Sequence, residues 1–226
     1  MKVEIKGGKF LHALFVVVVV TGVLFGAAGR WDLPGIWAYL AILFGMNGAT
    51  AAYVLRKSPA LAEERFRLGP GDQNPWFRVL ILPMMLGHWA IAGMDAGRWQ
   101  DPGDFPGELQ FLGLAGLATG QAIWFWAMNS NPFFSGQVRI QTERGHQLAS
   151  GGPYRFVRHP GYVGFFLVLL ASPLALGSWW SALPVIPALP LLVHRTHVED
   201  SLLRNGLPGY QEYAVRVPYR ILPGIW

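Results

Sequence analysis

The sequence predicts an all-α integral membrane protein of about six membrane helices, and three observations lead there. Apolar residues make up 52% of the chain against 14% charged, whereas water-soluble domains carry about 25% charged residues. Four runs, 10–28, 36–55, 77–94 and 109–128, approach the roughly 20 residues that cross a hydrocarbon core of about 30 Å. The basic residues behind the formal charge of +5 fall in short blocks between those runs. A nucleic-acid surface gathers them on one water-facing element, so the blocks read as topology.

The first run follows Lys2, Lys6 and Lys9 and ends at Gly26-Ala27-Ala28-Gly29. Its length exceeds the roughly 7–15 residues of a signal-peptide core, so it reads as a retained anchor. In the fourth run Gly113, Gly116 and Gly120 have the spacing that lets membrane helices approach closely. A nucleotide-binding glycine loop needs a preceding strand, and none is seen. The runs 161–177 and 179–193 are short, and the second holds Pro184, Pro187 and Pro190. They predict a short proline-broken hairpin packed against other helices, which must satisfy the freed backbone groups. His12, Asn47, Thr50, His88 and Gln121 lie inside the runs. Such uncharged groups read first as interhelical hydrogen bonds, with His88 and Gln121 the foremost functional candidates.

Orientation follows from Lys and Arg. An inside N-terminus assigns to the cytosol Lys2, Lys6, Lys9, Arg56, Lys57, Arg65, Arg67, Arg78, Arg139, Arg144, Arg155, Arg158, Arg195, Arg204, Arg216 and Arg220. Only Arg30 and Arg98, of 18 in all, fall outside. Asp95, Asp101, Asp104 and Glu108 gather in the outer loop 95–108. Both termini are therefore expected in the cytosol, with the protein in a cell inner membrane or an endomembrane. Oligomeric state is not legible.

The chain divides into a transmembrane scaffold of four spans, 1–130, and a cytosolic catalytic region, 131–226, which includes the hairpin 161–193. Residues 131–160 form a long connection rich in Gly, Arg and aromatics, and long ordered loops tend to be functional. Residues 194–226 are as polar and aromatic, and the hairpin returns both segments to one membrane face. His159 precedes Pro160, which sits at the favoured first position of a helix. With Arg155 and Arg158 beside it, that helix start suits an anionic group or, equally, lipid headgroups. Arg195 and Glu199, four apart, read as an ion pair or as a carboxylate placed to meet a ribose or a cation.

Zero cysteines exclude thiolate zinc, iron–sulfur and cysteine-nucleophile chemistry. His159, His194 and His197 are the one candidate metal cluster, but six histidines and no His-Glu-x-x-His argue against a metal centre. No Gly-x-Ser-x-Gly elbow points to a hydrolase.

Three ordered blocks carry a resemblance. They are Gly152-Pro-Tyr-Arg-Phe-Val-Arg-His-Pro-Gly-Tyr162-Val-Gly164, then Arg195-Thr-His-Val-Glu199-Asp200, then Gly209-Tyr-Gln-Glu-Tyr213 with Arg216-Val-Pro218. From about Val138 to its end the chain resembles the membrane methyltransferases related to isoprenylcysteine carboxyl methyltransferase and the phospholipid methyltransferases. The resemblance implies a cytosol-facing pocket for S-adenosylmethionine and a lipophilic or small methyl acceptor. It implies cofactor contacts from His146, Gln147, Leu148, Gly152, Pro153, Tyr154, Arg158, His159, Pro160, Tyr162, Glu199 and Asp200. His159, Arg195 and Glu199 would be the catalytic set. The family's usual second glutamate is Asp200 here. Tyr154, Phe156 and Tyr162 are candidate cation–π partners for a sulfonium. Membrane sterol-type reductases, which use a nicotinamide cofactor, look similar in their C-terminal half and stand as the alternative. A non-enzymatic membrane protein is the third reading, though no internal repeat suggests a transporter.

Overall fold

The computed structural model describes residues 7–65, 72–99 and 104–226. Lys2, Lys6, Arg67 and Asp101 lie outside the described residues, as do the side chains of Lys9 and Arg65. Eight α-helices account for the fold among the described residues: α1 Gly7–Ala28, α2 Pro34–Lys57, α3 Pro59–Arg65, α4 Trp76–Met94, α5 Gly107–Asn129, α6 Pro160–Ala175, α7 Ala182–Gly206 and α8 Tyr210–Arg216. Four are long and apolar enough to span a bilayer: α1, α2, α5, and α4 with its π-helical extension to Trp99. The 16-residue α6 is a shorter apolar helix. The chain is an all-α integral membrane protein.

Around the bundle the neighbours run α1, α4, α7, α6, α5, α2 and back to α1. Small residues set the closest approaches. A Cβ at Gly113 would lie 2.2 Å from the backbone nitrogen of Ala175, and one at Gly120 2.7 Å from the carbonyl oxygen of Gly164. Gly93 meets α1 in the same way, against the Leu24 carbonyl. The glycines of α5 therefore work in packing, as the absence of a preceding strand indicated.

Intramembrane polar groups staple the helices. His88 contacts Ser181 O through Nδ1 at 2.8 Å and Ser172 Oγ through Nε2 at 2.7 Å, and Tyr39 OH is 2.9 Å from that serine hydroxyl. The carbonyl at Nδ1 assigns the ring proton there, so the Ser172 hydroxyl donates to Nε2. Asn47 donates to Gln121 at 2.7 Å.

The hairpin differs from the sequence expectation. α7 is one unbroken helix of 25 residues, about 37 Å long at 1.5 Å per residue. Pro184 lies in its first turn, where no amide partner is required. Pro187 and Pro190 point outward, so each removes one hydrogen bond without driving its ring into a neighbouring helix. The consequence is functional: the residues that follow position 193 stand on a rigid extension of a bundle helix instead of in a loose tail.

Candidate functional site

Residues 131–160 are ordered without strands, through side-chain bonds to their own backbone. Asn131 Oδ1 accepts the Phe133 amide at 2.9 Å, and the fully buried Gln141 donates to Phe133 O at 2.6 Å and accepts from Arg144. Arg139 pins the segment to α3 through Glu64, at 2.7 Å. Gly152 has φ +58°, and a Cβ there would lie 2.4 Å from Ser130 Oγ. This residue lets the chain turn flush against the end of α5.

Between this segment, α6 and α7 lies a cavity of about 410 Å³. Its polar wall includes Arg139, His146, His159, Arg195 and Glu199. Its other end is walled at membrane depth by Leu43 and Asn47 of α2, Gln121 and Trp124 of α5, and Phe165 and Val168 of α6.

His159 caps α6, with Pro160 at the first helical position. Its ring stacks on Tyr162 at 5.8 Å, and its Nε2 lies 3.2 Å from Asp200 Oδ1. The carboxylate assigns the ring proton to Nε2 and leaves Nδ1 as the basic nitrogen. Asp200 is completely buried and binds three arginines: Arg158 at 2.8 Å, Arg204 at 2.9 Å and Arg220 at 2.9 Å. Tyr210 OH donates to it at 2.9 Å. Burial alone would raise the Asp200 pKa, but the hydrogen bonds from His159, Arg158 and Arg204 outweigh burial and hold it well below the usual carboxylate range. Burial and the Asp200 charge push the Tyr210 hydroxyl up, so it stays a donor.

Arg195 and Glu199 form no direct ion pair. Tyr162 OH stands between them, donating to Glu199 Oε2 and accepting from Arg195 Nε at 3.1 Å. Arg195 also donates to Asn74 O at 3.2 Å and Gly136 O at 2.8 Å, and its guanidinium lies 4.7 Å from the centre of the Phe77 ring. Its side chain runs toward α4 and the loop, away from Glu199. His146 stacks on Phe133 at 4.6 Å and accepts the Gln141 amide on Nδ1. Burial lowers its pKa, against the opposing charge of Glu199.

Of the sequence-predicted contacts, His146, Leu148, Tyr154, Arg158, His159, Tyr162, Arg195 and Glu199 line the cavity. Gln147 is exposed to solvent, while Gly152, Pro153 and Pro160 serve backbone geometry outside the lining. Asp200 also stays off the lining, because its carboxylate is turned toward the arginines. Arg158 is engaged by Asp200 and by Val217 O and Pro218 O, so it is not the free cation expected beside the α6 start. Phe156 is exposed, 6.5 Å from Trp126, and does not face the cavity. His194 and His197 are exposed while His159 is buried. Among the described residues no three metal-ligating side chains converge. Asn131, Phe133, Phe134 and Asn47 are cavity residues that sequence reasoning did not assign to the site. Tyr210 and Tyr213, also on the lining, were visible only as part of the third sequence block.

The chain matches the Isoprenylcysteine carboxyl methyltransferase (ICMT) family over residues 112–205. Residues 112–205 are ICMT-like. The match covers α5, the 131–160 segment, α6 and nearly all of α7, and so contains most of the cavity wall. It starts earlier in the chain than the three sequence blocks did and stops before α8. Protein-S-isoprenylcysteine O-methyltransferase of Schizosaccharomyces pombe is 32% identical over 112 residues, 48% of this chain and 48% of that protein. A probable protein-S-isoprenylcysteine O-methyltransferase of Oryza sativa subsp. indica is 34% identical over 117 residues, 48% of this chain and 59% of that one. Delta(14)-sterol reductase of Mus musculus is 37% identical over 100 residues, 43% of this chain and 24% of the reductase. The chain thus spans about a quarter to six-tenths of the length of these curated relatives.

Proposed function

We propose that the protein is a methyltransferase that uses S-adenosylmethionine to methylate a lipophilic or small acceptor, with its basic end in the cytosol. The observation that carries this reading is a cavity, lined largely by ICMT-like sequence, which joins ionisable groups at the basic end to apolar walls at membrane depth. When bound, S-adenosylmethionine supplies an electrophilic methyl group on a sulfonium. The residues present fit such a group. Glu199 has one carboxylate oxygen on Tyr162, and its other oxygen remains to offset positive charge or accept ribose hydroxyl protons. The rings of Tyr154 and Tyr162 on the cavity wall offer faces for a cation. Displacement of this kind is catalysed mainly by orienting the reactants and excluding water. Arg195, held by Asn74 and Gly136, orders the Tyr162 hydroxyl and through it Glu199. A carboxylate acceptor, as the names of the yeast and rice relatives suggest, needs no base. An amine or thiol acceptor would lose its proton to His159 Nδ1.

Calorimetry with S-adenosylhomocysteine tests the reading. Binding is expected, and Glu199→Gln and His159→Ala should each weaken it by about tenfold, the equivalent of one charge-assisted hydrogen bond. Absence of binding, or no effect of either variant, overturns it. The 37% identity to the sterol reductase favours a second reading, reduction by a nicotinamide cofactor. A thermal shift with NADPH but none with S-adenosylhomocysteine would select it.

A further inference from the structure

Asn47 and Gln121 sit on the membrane-depth wall of the cavity as a bonded carboxamide pair. Their orientations are fixed by backbone carbonyls. Asn47 Nδ2 donates to Leu43 O at 2.7 Å and to Gln121 Oε1 at 2.7 Å, and Gln121 Nε2 donates to Ile42 O at 3.3 Å. A flipped amide at either position would set oxygen against a carbonyl, so the assignment is forced. Both Asn47 protons are then used. Nothing among the described residues donates to Asn47 Oδ1, and Gln121 keeps one N–H and one lone pair.

The depth of the pair gives this its force. Gln121 lies eight residues before the end of α5 and Asn47 ten before the end of α2. At 1.5 Å per residue they are about 12 and 15 Å from the basic end, near the middle of a hydrocarbon core of about 30 Å. Asn47 is exposed on the cavity wall; once an apolar acceptor fills that space, a carbonyl oxygen left without a donor at that depth would cost a few kcal/mol, so a helix-to-helix staple alone is an incomplete use of this asparagine.

We infer that the Asn47–Gln121 pair is the polar recognition element for the acceptor, which carries a hydrogen-bond donor, such as a hydroxyl, within its apolar body. A plain isoprenoid or acyl chain has no such group and would leave Asn47 Oδ1 unpaired. This deepens the methyl-transfer reading and rests on it for the term acceptor. The pair also sets a ruler. Val168, which packs beside Gly120, is six residues beyond Tyr162 on α6, or about 9 Å deeper. The donor therefore belongs about seven zigzag C–C bonds of about 1.5 Å from the polar end of the molecule.

Hexadecanoate, and the same acid hydroxylated at its second or its eighth carbon, are titrated against the purified full chain in detergent by thermal shift, without cofactor. The eighth-carbon hydroxy acid should bind about tenfold tighter than the other two. In Asn47→Leu that preference should vanish. Equal affinities in the wild type, or no binding of any of the three, overturn the inference without recourse to the variant. Gln121→Met provides a second test if Asn47→Leu does not fold, and there too the preference should shrink. Release of S-adenosylhomocysteine from S-adenosylmethionine is read separately. A preference for the eighth-carbon acid without release overturns methyl transfer and leaves the pair standing as a lipid site. Release without that preference does the reverse.

Discussion

Removing the Asp200 carboxylate should release the C-terminal segment from the His159 side of the cavity. Arg158 is 1% exposed at its side chain and Asp200 0%, and an uncompensated buried charge of that kind costs about 3–5 kcal/mol. Tyr210 would lose a bond to a charged acceptor, worth about 1.5–3 kcal/mol. Arg204 is 40% exposed and adds at most about 0.5 kcal/mol after screening. These contributions share one carboxylate and are not additive, so Asp200→Ala should cost about 4 kcal/mol locally. Asp200→Asn, which keeps the shape and some hydrogen bonding, should cost about 2 kcal/mol. The sensitive probes are the amides of Arg158 and His159, which donate to Tyr219 O and Arg220 O at 2.9 Å each. Four kcal/mol is about a thousandfold in an opening equilibrium, so their hydrogen-exchange protection in Asp200→Ala should fall by about that factor. Protection within tenfold of wild type would refute the reasoning. It would mean that the 217–226 tail is held by its backbone bonds and not by the shared carboxylate.

Three further outcomes follow from the same structure. Gly113→Val puts a branched side chain where a Cβ already lies 2.2 Å from the Ala175 nitrogen, so it should cost about 3 kcal/mol or abolish folding, read as a lowered melting temperature in detergent. Tyr162→Phe removes the hydroxyl between Arg195 and Glu199; it should weaken S-adenosylhomocysteine binding by about tenfold while the melting temperature falls by only a few degrees. Burial depresses the His146 pKa below its unfolded value of about 6.5. Its share of the stability is therefore complete above that pH and is lost as pH falls from there through the folded pKa. A melting curve against pH should show this decline, and His146→Gln should flatten it.

Hydropathy and the Lys/Arg blocks made the four long spans legible, because a bilayer demands about 20 apolar residues whatever the fold. The small residues of α5 were legible for a related reason: close helix contact tolerates only Gly, Ala and Ser. α7 was misjudged as broken because proline frequency was read without knowing which face the rings occupy. Pro187 and Pro190 lie on the outside, where they do not force a break. The site was legible as segments and not as contacts. His159, Tyr162 and Glu199 could be named from ordered motifs, but the expected Arg195–Glu199 pair depended on a rotamer, and the structure sends Arg195 to Asn74, Gly136 and Tyr162.

The sequence by itself determined a basic-ended helical membrane protein with two polar segments bracketing α6 and the start of α7. Composition, span length and charge placement are properties of the chain as a string, and they suffice for that. Only the tertiary structure decided that Asp200 belongs to a three-arginine hub behind His159, since Arg158 and Arg220 join Arg204, its neighbour on α7, from segments outside that helix. It also decided that Asn47 and Gln121, 74 residues apart, meet on the cavity wall. The bonds of Arg158 and Arg220 to Asp200 and the Asn47–Gln121 bond each join side chains far apart in sequence, and no local pattern specifies which distant partner a polar group will find.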